Sequence, residues 1–188
     1  MRKIVSHLIM TLDGVVHFDA VADAVKKRRN QEVMDDFNAA LSQEDAMLLG
    51  RATYQEWSAY WPTSTWQPFA GHINGVPKYV ASRTLNNVDW PGADNVSLLQ
   101  GDVVAAIAEL KARPGKNIGV HGSPQLAESL LHEGLLDELR LELYPVIAGN
   151  GARLFRDGRP TKALQLIGAR PTGNGVVILT YRSVNRGG

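Results

Sequence analysis

Residues 117–144 read NIGVHGSPQLAESLLHEGLLDELRLELY, and this stretch decides the fold class. The apolar run Asn117–Val120 predicts a buried strand. The next segment predicts a helix that Ser123 caps and Gly134 ends, with proline in the first turn, where proline is favoured. Leucines then alternate with charged residues over 139–143, as in a half-exposed strand. A strand, a helix and another strand in succession predict a parallel βαβ unit.

The same alternation continues on both sides of this unit. The further predicted strands are Ile4–Met10, Ala46–Leu49, Lys78–Ala81, Val96–Leu99, 162–168 and 176–182. The further predicted helices are Ala22–Leu41, Thr53–Tyr60 and one that Asp102 caps, with a long loop over Trp61–Val76. Asn174-Gly175 predicts a hairpin turn. We therefore expect an α/β fold in one domain, residues 1–188, with a mostly parallel central sheet, an antiparallel C-terminal hairpin and helices on both faces.

Composition limits the kind of protein. Twenty Lys and Arg against 19 Asp and Glu give a net charge of +1, which argues against nucleic acid or an anionic membrane as the main partner. The chain has no cysteine, so disulfides and thiolate metal ligands are excluded. No segment has the roughly 18 to 20 continuous apolar residues of a membrane span. We expect a cytoplasmic protein that acts on a small molecule.

Three segments that directly follow predicted strands carry groups suited to anions. They are Gly50-Arg51-Ala52-Thr53, Ser82-Arg83-Thr84 and Gly122-Ser123-Pro124-Gln125. Glycine lets the backbone approach a ligand, helix starts offer free N–H groups, and arginine has a planar fork that matches phosphate. Since ligands of open α/β sheets bind beyond the carboxyl ends of the strands, the three segments together predict a polyanion such as a dinucleotide. No G-x-G-x-x-G follows any strand, so the Rossmann fingerprint is absent.

Each segment also has an ordinary structural explanation. Gly50 could only end a strand, and Arg51 could be a solvated surface residue. Ser82-Arg83 could form a simple turn. Ser123 is explained as the N-cap of the helix that follows it.

Several short motifs follow one another in order over nearly the whole chain. They are Met10-Thr11-Leu12-Asp13-Gly14, Leu48–Tyr54, Val80-Ala81-Ser82-Arg83 and, most specific of all, Ile118–Phe155. In this order they resemble the dihydrofolate reductase fold. The closest resemblance is to the branch that contains the reductase domain of bacterial riboflavin biosynthesis and its stand-alone relatives.

The resemblance implies an NADPH-dependent reductase, usually a homodimer. The residues implied to bind the cofactor are Gly50, Arg51, Thr53, Ser82, Arg83, Gly122, Ser123 and Gln125. Among them, Ser82 and Arg83 would hold the adenosine 2′-phosphate, which favours NADPH over NADH. The implied substrate is a small heterocyclic or carbonyl compound. In the riboflavin enzymes it is a ribosylaminouracil phosphate whose opened ribose carbonyl accepts the hydride.

Two residues, Asp13 and His121, stand where those relatives line the active cleft. A histidine suits the proton donor that carbonyl reduction needs, and His121 should face the cleft if the glycine turn holds the cofactor. Alternatively, His121 caps a strand end through a backbone bond. Asp13 could bind substrate or cofactor amides, or hold the backbone of its own Asp-Gly turn. Relatives usually carry an acid in place of His121 and a Lys or Arg soon after Asp-Gly, so the substrate stays open.

Other readings of the sequence remain. The protein could reduce folate itself, or it could be a non-catalytic nucleotide-binding module on the same fold. The aromatic residues in 57–69 could wall a flat heterocycle, cover a subunit interface or pack in the core. We expect His7 to be a core residue whose ring nitrogens have hydrogen-bond partners. The spacing of His17, His72 and His132 does not resemble a ligand set, so we expect no metal.

Overall fold

The structure, a computed structural model, describes residues 1–16 and 22–184. Its strands are β1 Ile4–Thr11, β2 Glu44–Gly50, β3 Lys78–Ala81, β4 Val96–Leu99, β5 Asn117–His121, β6 Glu138–Tyr144, β7 Leu164–Pro171 and β8 Val177–Ser183. Its helices are α1 Ala22–Arg28, α2 Gln31–Ser42, α3 Arg51–Tyr60, α4 Phe69–Gly75, α5 Val103–Ala112 and α6 Pro124–His132, with a 3-10 helix at Trp61–Thr63. None of these helices, which cover the described residues only, is long and apolar enough to cross a membrane.

The strands form one sheet in the order β4-β3-β2-β5-β1-β6-β8-β7. All pairings among β1 to β6 are parallel. The last two strands are antiparallel, since β8 pairs with β6 and β7 with β8. The expected mostly parallel sheet with an antiparallel C-terminal hairpin is confirmed, and this is a dihydrofolate reductase-like arrangement.

The central strands of the sheet are buried on both faces, as their apolar sequences predict, whereas the edge strand β7 is mostly exposed. In β2, Ala46 and Leu48 pack with α5 and α6 on one face. Met47 and Leu49 point the other way and pack with α2 and α4. Because side chains alternate along a strand, the same rule puts Ile118 and Val120 of β5 with α5 and α6 and turns His121 toward α2 and α4.

The predicted helix Ala22–Leu41 is wrong as one element, because the chain forms two helices there. Asn30 interrupts it: its backbone is extended, and its side chain accepts a hydrogen bond from the Val33 N–H at 3.1 Å. An asparagine that caps a new helix in this way competes with continuation of the preceding one. Sequence periodicity alone misses the break, since the apolar positions continue on both sides of it.

The predicted loop Trp61–Val76 is also wrong, because it contains the 3-10 helix and α4. Phe69 and Ile73 of α4 are buried in the core on the α2 face. The C-terminal end of α4 is closed by Lys78, whose Nζ donates to the carbonyls of Ile73 at 2.8 Å and Val76 at 2.9 Å. A seven-residue helix shows too few apolar positions for its period to be read from sequence.

Candidate functional site

The three anion-suited segments follow three neighbouring parallel strands. Gly50 ends β2, Ser82 follows β3, and Gly122 follows β5. The order β3-β2-β5 makes β2 the central strand of the three, so all three carboxyl ends lie along one edge. With strands about 4.8 Å apart, this edge spans roughly 10 Å from β3 to β5. A single extended ligand can therefore reach all three segments.

Two of the segments are joined by hydrogen bonds. The Gly50 N–H donates to Ser123 Oγ at 2.9 Å. The Ser123 N–H in turn donates to Thr53 Oγ1 at 3.1 Å. These two bonds bring the starts of α3 and α6 together, and the first N–H groups of a helix have no partner within it. The joined helix starts thus present free N–H groups and positive dipole ends to one place.

Ser123 stands at the N-cap position of α6 as predicted, but the expectation that its side chain caps the helix is wrong. Its backbone is left-handed with φ 51°, and its hydroxyl makes no bond to the helix that follows. The hydroxyl instead accepts from the neighbouring strand end at Gly50. The preceding residue, Gly122, has φ 61°, and a Cβ there would lie 3.4 Å from the Trp57 ring. Two consecutive left-handed residues turn the chain sharply and bring it close to α3.

The charged residues of the segments lie at the surface. Arg51 and Arg83 are exposed, and neither forms an ion pair within residues 1–16 and 22–184. Gln125 is also exposed at the start of α6. Ser82 Oγ accepts from the N–H groups of Thr84 at 3.2 Å and Leu85 at 3.1 Å, which is the ordinary turn chemistry expected as the alternative. The two guanidinium groups are thus available to an anion.

Asp13 connects the end of β1 to the segment after β6. Its carboxylate accepts from the Thr11 hydroxyl at 2.6 Å and from the N–H groups of Ala148 at 3.1 Å and Gly149 at 2.9 Å. The Thr11 bond and the two backbone bonds lower the pKa of Asp13 to about 2. The carboxylate therefore holds its own turn, as the structural alternative predicted, and also holds a second loop.

The expected orientation of His121 toward the cleft is wrong. The side chain is buried, and its ring turns back along β5, so that a Cβ on Gly119 would lie 2.8 Å from His121 Nε2. That nitrogen is 2.7 Å from Oε2 of buried Glu44, the first residue of β2. The ring is also stacked on His7 of β1, with 4.7 Å between centroids. Because the partner of His121 is the Glu44 side chain, the expected hydrogen bond to backbone is wrong too. The role of His121 as proton donor stays a prediction.

Burial and proximity shift the ionisation of this group. Burial lowers the pKa of His7 to about 4, although the nearby Glu44 opposes the shift. For Glu44, burial alone would raise the pKa, but the attraction and hydrogen bond of His121 and the nearby rings of His7 and His72 hold it well below its usual range. The sequence analysis did not single out Glu44. The available signal was a carboxylate two residues before the apolar run Ala46–Leu49, at the first position of the strand.

The aromatic residues of 57–69 pack mainly against one another. Trp61 and Phe69 are buried in the core, with 4.7 Å between their ring centroids. Trp57 lies 5.6 Å from Phe69 in an edge contact. Core packing therefore accounts for these three residues, while Tyr60 is 58% exposed.

A pocket of about 350 Å³ lies away from the anion-suited edge. Its lining includes the first residues of β2 and β5, Glu44 and Asn117, together with His7 and part of α2. Glu44 and Asn117 stand at the amino ends of their strands, whereas the anion-suited segments follow the carboxyl ends. The pocket and the edge are thus separate features of the molecule.

Comparison with known proteins bears on the family. Residues 2–178 match the model of the RibD C-terminal domain. The chain belongs to the RibD C-terminal domain family. Its identity to the "Uncharacterized protein YyaP" of Bacillus subtilis is 30% over 191 residues, covering 96% of this chain and 94% of that protein.

Two solved structures share the fold of this RibD C-terminal domain. A putative riboflavin biosynthesis protein from Shewanella sp. PV-4 has a TM-score of 0.78 at 22% identity, covering 97% of this chain and 99% of that one. The diaminohydroxyphosphoribosylaminopyrimidine deaminase/5-amino-6-(5-phosphoribosylamino)uracil reductase of Thermotoga maritima has a TM-score of 0.64 at 13% identity, covering 97% of this chain and 57% of that one. The suspected resemblance is confirmed.

The Thr53 hydroxyl should stabilise the joined helix starts of this RibD C-terminal domain. Thr53→Val keeps the side-chain shape but leaves the Ser123 N–H without its acceptor, so we expect a loss of about 1–2 kcal/mol in the free energy of unfolding. Thr53→Ser keeps the acceptor and should lose much less. Urea unfolding of the three proteins measures the difference, and an equal loss in both variants would contradict the role of the hydroxyl.

The Asp13 carboxylate should make stability sensitive to acid. Its folded pKa of about 2 lies below the ordinary 3.8, so its contribution is complete above about pH 4 and is lost as the pH falls through 2. The stability advantage of the wild type over Asp13→Asn should therefore shrink between about pH 4 and pH 2. Urea unfolding at pH 6, 4 and 3 measures it, with exposed Asp94→Asn as the control. A constant advantage over this range would refute the contribution.

Proposed function

We propose that the protein is an NADPH-dependent reductase of a small heterocyclic or carbonyl compound. The observation that carries the proposal is the hydrogen-bonded pair of helix starts at the carboxyl ends of β2 and β5. A dinucleotide needs several separate anion contacts, and this edge supplies them from neighbouring strands.

The pyrophosphate fits the place where α3 and α6 begin. Both helices are long enough to carry a dipole, with ten residues in α3 and nine in α6. Gly122 lets the backbone come close, and Arg51 adds a full positive charge beside Gly50. Gln125 offers an amide from the first turn of α6.

The adenosine 2′-phosphate fits the segment after β3. Arg83 is exposed there, and Ser82 provides a hydroxyl directly before it. A guanidinium binds a phosphate dianion through two parallel hydrogen bonds, which a ribose hydroxyl cannot match. This segment therefore favours NADPH over NADH.

NADPH would supply the hydride, and the chain would supply position and polarity. The strand ends would hold the cofactor along one edge, so that a substrate carbonyl or imine comes within reach of it. Asp13 fixes the loop beside the end of β1 through Ala148 and Gly149, and so would shape the neighbouring wall.

The family supports a reductase of the riboflavin type. The Thermotoga maritima protein is named as a 5-amino-6-(5-phosphoribosylamino)uracil reductase, and a compound of that class is the substrate we propose. A homodimer and a cytoplasmic location stay predictions.

A fluorescence titration with NADPH, followed by a substrate panel, tests the proposal. We expect saturable binding of NADPH and loss of the reduced nicotinamide signal with a ribosylaminouracil phosphate or a related carbonyl compound. Oxidation of NADPH by dihydrofolate, with tight inhibition by methotrexate, would instead support folate reduction. If NADPH binds but no uracil, pterin or carbonyl compound oxidises it, the result would support a non-catalytic nucleotide-binding module. If NADPH does not bind, the proposal is refuted.

Arg83→Ala should discriminate between the two nicotinamide cofactors. Losing a charged phosphate contact should weaken NADPH binding roughly 10- to 100-fold and leave NADH binding nearly unchanged. Arg113→Ala is the matched control, since Arg113 is an exposed arginine at the end of α5. Equal weakening of both cofactors by Arg83→Ala would remove the 2′-phosphate role.

A further inference from the structure

A buried group of imidazoles surrounds one carboxylate on the α2 face of the sheet. We call it the His–Glu cluster, and its members are His7, Glu44, His72 and His121. The His121 Nε2 is 2.7 Å from Glu44 Oε2, and the His7 Nε2 is 3.0 Å from Glu44 Oε1. The Nε2 of His72 lies 3.6 Å from Glu44 Oε2. Three ring nitrogens thus point at one carboxylate that is 1% exposed.

The fold builds the His–Glu cluster from four separate elements. His7 and His121 are direct partners in the parallel pairing of β1 with β5. Glu44 begins the adjacent strand β2, and His72 comes from α4. Gly119 makes room for the carboxylate, since a Cβ at that position would collide with Glu44. Phe37 and Phe69 close the other side, with ring centroids 5.6 and 5.5 Å from that of His121.

Hydrogen bonding within the protein leaves the His–Glu cluster unsatisfied. Glu44 Oε1 and His72 Nε2 are buried without a hydrogen-bond partner of acceptable geometry among the described residues. The 3.0 Å contact of Oε1 with His7 is close enough in distance but poor in angle. Buried polar atoms in native proteins are nearly always paired with protein, water or an ion. These atoms therefore point to a ligand shared by the cluster.

We propose that the His–Glu cluster binds one divalent transition-metal ion, with Zn²⁺ as the expected ion. Imidazole is the preferred ligand of zinc and its neighbours, whereas calcium and magnesium need a shell of oxygens. With metal–ligand bonds of about 2.0–2.2 Å in tetrahedral geometry, the ligand atoms stand about 3.3 Å apart. The observed separations of 2.7, 3.0 and 3.6 Å bracket that spacing.

Side-chain movements are needed to complete the site. The ligand atoms of His7, Glu44 and His121 all lie within 4.8 Å of one another. The His7 and His121 rings are parallel to within 7°, so a shared ion requires the two rings to tilt toward each other. The ion can reach them from the 350 Å³ pocket, because His7 and Glu44 line it. His72 stands outside this group of three, and its Nε2 is 3.6 Å from Glu44 Oε2, so its ring would have to move toward the ion to become the fourth ligand. With that ligand the ion would join β1, β2, β5 and α4 in a structural role.

The no-metal expectation arose from the histidine spacing along the chain. His72 has no nearby ligand in sequence, yet the fold brings its ring to Glu44. His17 lies outside the described residues, and His132 stands in the last turn of α6. The proposal depends on neither of these two.

Metal binding to the full chain tests the proposal. Chelator-treated protein is titrated with Co²⁺, whose visible spectrum depends on coordination number, and bound Co²⁺ is then displaced with Zn²⁺. We expect one ion per chain and a four-coordinate spectrum. His7→Gln and His121→Gln should each weaken binding at least about 100-fold, since even residues that only support ligands cost 10- to 100-fold. His132→Gln should bind as the wild type does.

Failure of wild-type protein to bind one ion per chain would overturn the proposal. So would equal binding by His7→Gln and His132→Gln. If a ligand variant does not fold, as circular dichroism would show, X-ray absorption of Zn²⁺ bound to wild-type protein decides. In that spectrum we expect outer-shell scattering from at least two imidazoles bound to the ion. A spectrum explained by water oxygens alone would overturn the proposal.

Discussion

Strands β2 and β5 run in parallel side by side, and both candidate sites are built on this pair. Beyond their carboxyl ends, the Gly50 N–H meets Ser123 Oγ, which brings two helix starts together. At the amino end of β2, Glu44 meets the ring of His121, which turns back along β5. One strand pairing thus determines where an anion and where a metal ion could bind.

Much of the architecture could be predicted from sequence because it depends on local patterns. The bounds of β3 and β4 agree with their apolar runs, and Asp102 caps α5 as expected, accepting from the Val104 and Ala105 N–H groups. The hairpin turn at 174–175 is also found, with φ 86° at Gly175. Turn dipeptides, caps and strand periodicity are short-range signals, so a single sequence suffices to read them.

Long-range contacts explain what the sequence did not show. Ser123 has every local property of an N-cap, but a strand end 73 positions away takes its hydroxyl. His121 precedes a glycine turn, but a carboxylate 77 positions away takes its ring. A polar side chain with two possible hydrogen-bond partners bonds to the one that tertiary packing brings closer. For Ser123 and His121, the register of β2 against β5 decides which partner is closer. The local sequence shows which partners a side chain could have, but it does not show which partner the fold selects.

The two sites share the chain segment 121–123, and this adjacency has a physical consequence. Gly122 and Ser123 both adopt left-handed backbone, which is costly for Ser123 and needs support from its surroundings. The bond from Gly50 supports the turn on one side. On the other side, the buried ring of His121 anchors the residue that enters it. Since Gly50 and Glu44 are the last and first residues of β2, contacts with one strand hold this turn on both sides.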